Sequence, residues 1–233
     1  MSAFPLSPGS PPRLLVSVRD PAEAEAAQLA GADLIDAKDP ERGALGALEI
    51  CIVEDIVARI AGAASTSAVA EASPAAVAAM AETGVDWVKT GLGPVQRSDD
   101  PALAALAAAS PGRLIAVLFA EDGPTADLVP RLAKAGFAGA MIDTVGKSGV
   151  RLPDLAGPAE LSAFTSVCRA HGLMSGLAGS LRVTDIAGLL AHGTDYLGFR
   201  GGLCRDFDRR NGIDPLRVAE ALRTLRLSRR DAA

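Results

Sequence analysis

Short, nearly unbroken apolar runs recur along the chain: LLVSV (14–18), DLIDAK (33–38), TSAVA (66–70), DWVKT (86–90), RLIAVLF (113–119), AGAMIDT (138–144), LMSGLA (173–178) and DYLGF (195–199). Each has the length of a strand and lacks the regular polar alternation of a half-exposed one, which predicts strands buried on both faces. Between them lie stretches with helical spacing at 22–30, 48–60, 75–82, 102–109, 125–135, 159–170 and 183–191, and another follows the last run at 216–225. Asp20-Pro21, Ser73-Pro74, Asp100-Pro101 and Asp214-Pro215 each join a capping side chain to a proline suited to a first helical turn, and predict helix starts. Gly31, Gly84, Gly136, Gly172 and Gly193 each precede an apolar run and predict helix ends. Pro130 lies within the fifth helical stretch, where its missing N–H is expected to kink or shorten the helix.

Strands alternating with helices imply a parallel sheet with right-handed crossovers. Eight such units in 233 residues predict an α/β fold, a (β/α)8 TIM barrel. The competing open, doubly wound sheet needs a glycine-rich turn after its first strand, where this chain has VSVRDPAE. An internal echo supports the barrel: LAGADLIDAK, AETGVDWVKTG, KAGFAGAMIDT and AHGTDYLGFRG lead into strands two, four, six and eight, as in a fourfold repeat. The expected layout is a flexible tail at 1–12, a single barrel domain at 13–226 and a C-terminal tail at 227–233.

Composition narrows the partners. At 49% hydrophobic and 22% charged residues the chain has ample material for a core. A net charge of −5 argues against nucleic acid as a partner. The opening MSAFPLSPGSPP lacks the features of a signal peptide, and no apolar run is long enough to span a membrane, so a cytoplasmic protein without a membrane partner is expected. Cys51, Cys168 and Cys204 show no CxxC spacing and are expected to stay reduced. A homo-oligomer is expected, with the Ala-rich fourth helix as a contact.

Barrel active sites lie at the C-terminal ends of the strands. His171 and His192 both precede helix-ending glycines and so belong to the opposite face, which leaves no support for a metal site. The informative residue is lysine. Of 23 cationic residues only Lys38, Lys89, Lys134 and Lys147 are lysines, and three of these fall at or just past strands two, four and six. An amine forms a Schiff base and sheds a proton when desolvated, which a guanidinium does not, so this placement predicts carbonyl chemistry without a cofactor. Lys134, near the end of the fifth helix, reads as ordinary surface charge.

Asp36 and Lys38 are two apart on one strand face, which sets up an adjacent buried pair with Lys38 nearer the mouth. Asp143, four residues before Lys147, either orients that lysine, shares a proton with it or caps the following loop. After strands seven and eight, Gly179 and Ser180 in GLAGSL and Arg200, Gly201 and Gly202 in FRGGLC form the expected barrel phosphate site.

At these residues the sequence resembles the (5-formylfuran-3-yl)methyl phosphate synthase family of methanofuran and methylofuran biosynthesis. The resemblance runs through GADLIDAKDPERGALGA, GVDWVKTGL, AMIDTVGKSG, GLAGSL and GTDYLGFRGGLC with DRRNGID after it, in order over nearly the whole chain. It implies condensation of two glyceraldehyde 3-phosphate molecules to the furan with release of one phosphate and two waters. It also implies that Lys38 is the Schiff-base former and Lys89 the proton acceptor, with Asp36, Asp143 and Lys147 at the other polar positions. The segment FAEDGPTADL after strand five looks shorter than the family pattern, and CRDFDRRNGID after strand eight looks reshaped. The residues alone also fit a class I aldolase acting on another sugar phosphate, or a non-catalytic phosphate-metabolite-binding barrel.

Overall fold

The computed structural model describes residues 12–123, 126–145 and 149–227. The strands are β1 (Arg13–Val18), β2 (Leu34–Ala37), β3 (Ser65–Ala70), β4 (Trp87–Gly91), β5 (Leu114–Phe119), β6 (Gly139–Asp143), β7 (Met174–Ala178) and β8 (Tyr196–Phe199). They close into one parallel barrel in chain order, with β8 returning to pair with β1. The eight apolar runs therefore coincide with the eight strands. The outer helices are α1 (Pro21–Leu29), α2 (Ile50–Ile60), α3 (Pro74–Glu82), α4 (Pro94–Ser98), α5 (Asp100–Ala108), α6 (Val129–Ala135), α7 (Leu152–Leu155), α8 (Pro158–Ala170), α9 (Ile186–Leu190) and α10 (Pro215–Leu227).

Helix starts follow the capping chemistry, because a side-chain oxygen satisfies one of the first free N–H groups. Asp20 accepts from Glu23 N at 2.9 Å and Ser73 from Ala76 N at 3.2 Å. At α5 the cap is Asp99, accepting from Ala102 N at 3.3 Å, one residue earlier than the Asp100-Pro101 pair suggests. All five glycines expected to end helices have positive φ. Pro130 falls in the first turn of α6, where no N–H is needed. The helix is shortened to Val129–Ala135, with a 3-10 turn at Ala126–Leu128 before it.

Strand alternation divides the core in two. Leu15, Leu34, Ile115, Val117, Met141, Met174 and Tyr196 fill the barrel interior, while the other strand faces pack against the helices. The fourfold echo has a physical cause at the bottom of the barrel. Asp33, Asp86 and Asp195, each just before an even strand, accept hydrogen bonds from the backbone N–H of Leu14, Thr66 and Ser175 at 2.8, 2.7 and 2.7 Å. Each carboxylate thus pins the start of the preceding odd strand. Ala138 holds the equivalent place before β6 and cannot do so. No helix among the described residues is long and apolar enough to cross a membrane.

Candidate active site

At the C-terminal ends of the strands the barrel opens into a cavity of about 360 Å³, lined by Asp36, Lys38, Lys89 and Asp143 together with the loops after β7 and β8. The motif IDAKDPERGALGA builds one wall. After Lys38 the chain doubles back, with Asp39 N donating to Gly46 O at 2.9 Å. A Cβ at Gly46 would lie 2.3 Å from Asp39 O, so only glycine permits this return. It directs Leu45 across the mouth onto Gly91, where a Cβ would meet the leucine at 2.0 Å. Gly46 in the motif and Gly91 at the end of β4 thus fix the loop that carries Lys38.

The cavity floor is a buried ion pair. Asp36 and Lys89 are each 2% exposed, and Lys89 Nζ donates to Asp36 Oδ1 at 2.8 Å. Ser17 and Ser67 donate to the same carboxylate at 2.9 and 2.7 Å. Burial disfavours the charge on Asp36, but Lys89, Lys38 and the Ser67 hydroxyl outweigh it and hold the carboxyl below its ordinary range. For Lys89 burial is the largest influence and outweighs the attraction of Asp36, so its amine gives up a proton more readily than a free lysine.

Above this floor Lys38 Nζ reaches Asp143 Oδ2 at 3.3 Å. Lys38 follows β2 and Asp143 ends β6, on opposite sides of the ring, so the pair crosses the mouth. Asp143 also accepts from Thr144 N at 2.7 Å. The adjacent Asp36–Lys38 pair expected from strand alternation is not what forms: the two share a face, yet Asp36 binds Lys89 and Lys38 binds Asp143. Residues two apart on a strand are separated by about 6.6 Å along it, whereas side chains from other strands meet at one level of the barrel. Lys147 lies outside the described residues.

The glycine loops occupy the expected place. Gly179, Ser180, Arg200, Gly201 and Gly202 all line the cavity. A Cβ at Gly202 would stand 2.2 Å from Leu181 O, which is how the loops after β7 and β8 pack together. Arg200 lines the cavity but spends its guanidinium elsewhere. It binds Glu23 through both terminal nitrogens and donates to Ser17 O and Arg209 O at 3.0 Å each and to Asn211 O at 3.5 Å. Five donors meet five protein acceptors, so Arg200 clamps the loop after β8 onto the β1–α1 turn. Sequence reasoning missed Arg209, which also lines the cavity. Its signal was confined to one more arginine in DRRNGID.

His171 follows α8, and His192 shares a 2.7 Å hydrogen bond with Ser162; neither lines the cavity. Beneath Lys89 lies the Tyr196 ring, with the ammonium 5.7 Å from its centroid. The Tyr196 hydroxyl is buried without a partner among the described residues. Tyr196→Phe is therefore expected to raise stability by about 1 kcal/mol by removing an unsatisfied polar group. That corresponds to a Tm gain of about 2–4 °C by calorimetry. Turnover should hold within twofold, because the ring under Lys89 remains.

The family described as 4-HFC-P synthase matches residues 14–222 of the chain. A Methylorubrum extorquens protein, carrying the name (5-formylfuran-3-yl)methyl phosphate synthase provisionally, is 58% identical over 228 residues, covering 95% of each chain. The (5-formylfuran-3-yl)methyl phosphate synthase of Methanopyrus kandleri is 34% identical over 221 residues, covering 86% of this chain and 93% of its own. Among solved structures, phosphoribosyl anthranilate isomerase from Thermus thermophilus superposes with a TM-score of 0.65 at 16% identity, covering 92% of this chain and 98% of that one. At that identity the likeness is one of barrel fold.

Proposed function

The chain belongs to the (5-formylfuran-3-yl)methyl phosphate synthase family, and from that premise we propose that it condenses two molecules of glyceraldehyde 3-phosphate into (5-formylfuran-3-yl)methyl phosphate. One phosphate and two waters balance the equation. The observation that carries the reading is the presence of two lysines in one cavity, each held by its own carboxylate: Lys38 by Asp143 and Lys89 by Asp36.

The two amines have different surroundings and take different roles. Lys38 sits at the mouth, where an incoming aldehyde can reach it. Its amine attacks the carbonyl carbon of one triose, water leaves, and the resulting iminium lowers the barrier to loss of the neighbouring proton. Asp143, bonded to Lys38 Nζ, positions the amine and balances the iminium charge. The enamine then attacks the aldehyde of the second triose. Lys89, deeper and with its proton affinity reduced by burial, moves protons at the floor. Loss of phosphate, ring closure and dehydration complete the furan. The backbones of Gly179, Ser180, Gly201 and Gly202 cradle a substrate phosphate at the rim.

The test is incubation with glyceraldehyde 3-phosphate, following near-ultraviolet furaldehyde absorbance and released phosphate. One phosphate per furan is the expected result. A borohydride-trapped adduct without furan would replace the condensation with an aldolase reaction, and neither adduct nor furan would leave only a binding barrel.

The pH dependence is a separate prediction. If neutral Lys89 accepts the proton, kcat should rise with pH through an inflection below the ordinary lysine value of 10.5. Asp36 raises the proton affinity of Lys89, so in Asp36→Asn the inflection should move to lower pH. A pH-rate profile that keeps its inflection in Asp36→Asn would remove Lys89 from the proton-transfer step.

A further inference from the structure

Charge compensation divides the cations of the cavity. Lys38 is paired with Asp143, Lys89 with Asp36 and Arg200 with Glu23. Arg182 and Arg209 also line the cavity, and neither has a carboxylate within salt-bridge distance among the described residues; Arg182 is exposed at the rim, which leaves the half-buried Arg209. Its one protein acceptor there is Gly43 O, 3.0 Å from a terminal nitrogen. The Arg209 Nε–H is buried with no acceptor among the described residues. Four of its five donors thus remain unspent in a wall of the cavity.

The placement is specific. The Arg209 backbone lies against the turn after β8, where a Cβ at Gly201 would be 3.6 Å from Arg209 Cβ. Its side chain crosses to Gly43, in the loop that carries Lys38. The guanidinium therefore bridges the glycine turn and the amine-bearing loop. Gly43 O takes one hydrogen of one terminal nitrogen, so one of the guanidinium's two forks keeps a free pair of parallel N–H groups, which match two oxygens of a phosphate. Burial lowers the proton affinity of Arg209, opposed by the Asp143 carboxylate, and an arginine still stays charged. A buried, charged donor without an acceptor is costly to hold unless an anion satisfies it.

We propose that Arg209 is the cationic half of the substrate phosphate subsite, the Gly201–Gly202 turn being the other half, and that it sets the preference for phosphorylated over unphosphorylated aldehydes. This deepens the condensation reading and rests on its phosphorylated substrate. Arg200, the more conspicuous arginine in the sequence, acts as the clamp that holds this turn.

The test separates binding from chemistry. Equilibrium binding of inorganic phosphate, followed by calorimetry, should weaken at least tenfold in Arg209→Gln and less in Arg209→Lys, which keeps the charge but loses the fork. In borohydride trapping, wild type should favour glyceraldehyde 3-phosphate over glyceraldehyde, and Arg209→Gln should lose at least tenfold of that preference through the phosphorylated substrate alone. Thermal melting of the lysine variant guards against a folding defect. Unchanged phosphate binding in Arg209→Gln overturns the proposal, as does an equal loss for both aldehydes or a loss reproduced only by Arg182→Gln at the exposed rim. Phosphate binding needs no turnover, so the subsite can fail while the condensation stands, and the condensation can fail while the subsite stands.

Discussion

Replacing Lys38 with alanine is expected to abolish the borohydride-trapped adduct and to lower furan formation by at least about a thousandfold, roughly 4 kcal/mol of transition-state stabilisation. The two losses should coincide because one atom serves both: Lys38 Nζ is the amine at the mouth of the cavity, 3.3 Å from Asp143. Lys89 is the rival nucleophile, but it is 2% exposed, bound at 2.8 Å to Asp36 and seated over the Tyr196 ring. Lys89→Ala should accordingly keep the adduct and lose turnover. Lys38→Arg sharpens the test, since a guanidinium preserves the charge opposite Asp143 but does not condense with a carbonyl. Lys134→Ala, in the exposed last turn of α6, should match wild type in both assays. Mass spectrometry of the reduced adduct locates the modified residue. An adduct in Lys38→Ala at wild-type yield, mapped to Lys89, would move the nucleophile to the floor and reverse the two assignments.

The sequence showed the barrel because its cues were local and repeated: strand-length apolar runs, proline after a capping side chain, glycine at each helix end. Where a cue was less definite, the structure departs by a residue, as at Asp99, or adds short helices such as α4 and α7 that bury too little apolar surface to leave a periodic signature. The site was legible in its membership and less so in its pairing. Strand alternation places Asp36, Lys38 and Lys89 inside the barrel, but which carboxylate meets which amine depends on registers between strands that spacing along one strand does not encode. Lys38 and Asp143 are 105 residues apart and meet across the mouth. Arg200 illustrates the same limit. Its neighbouring glycines made it look like a phosphate ligand, and nothing local reveals that Glu23, 177 residues away, takes its guanidinium. Arg209 stands in a charged loop where its sequence neighbours, Asp208 and Arg210, pair with each other. Only the fold turns it inward.

The floor pair supports the other large effect. Asp36→Asn should cost about 3 kcal/mol at neutral pH, because it leaves the Lys89 ammonium buried without its counter-charge. The lysine can escape by releasing its proton, and the sign of the pH response follows. Without the carboxylate, folded Lys89 holds its proton less tightly than the unfolded chain does, so unfolding takes up protons and stability rises with pH. The proton affinity of wild-type Lys89 is lowered as well, but less, so the deficit should shrink as the pH rises through the variant's Lys89 titration and level off once the wild-type Lys89 also releases its proton, below the ordinary lysine value of 10.5. Lys89→Met should cost less, since Asp36 keeps the Ser17 and Ser67 hydroxyls and the nearby charge of Lys38, and it should show no such alkaline recovery. In the double variant Asp36→Asn/Lys89→Met no charge is left unpaired, the amide can exchange hydrogen bonds with the two serines, and stability should return to within about 1 kcal/mol of wild type. Denaturant unfolding of the four proteins at two pH values measures the whole cycle. Turnover should stay lost in the double variant. A buried ion pair that can be removed for little cost in stability, while its loss ends the reaction, is kept for the proton chemistry at the floor. If the double variant is as unstable as the two singles combined, the pair is structural and the role of Lys89 in proton transfer loses its main support.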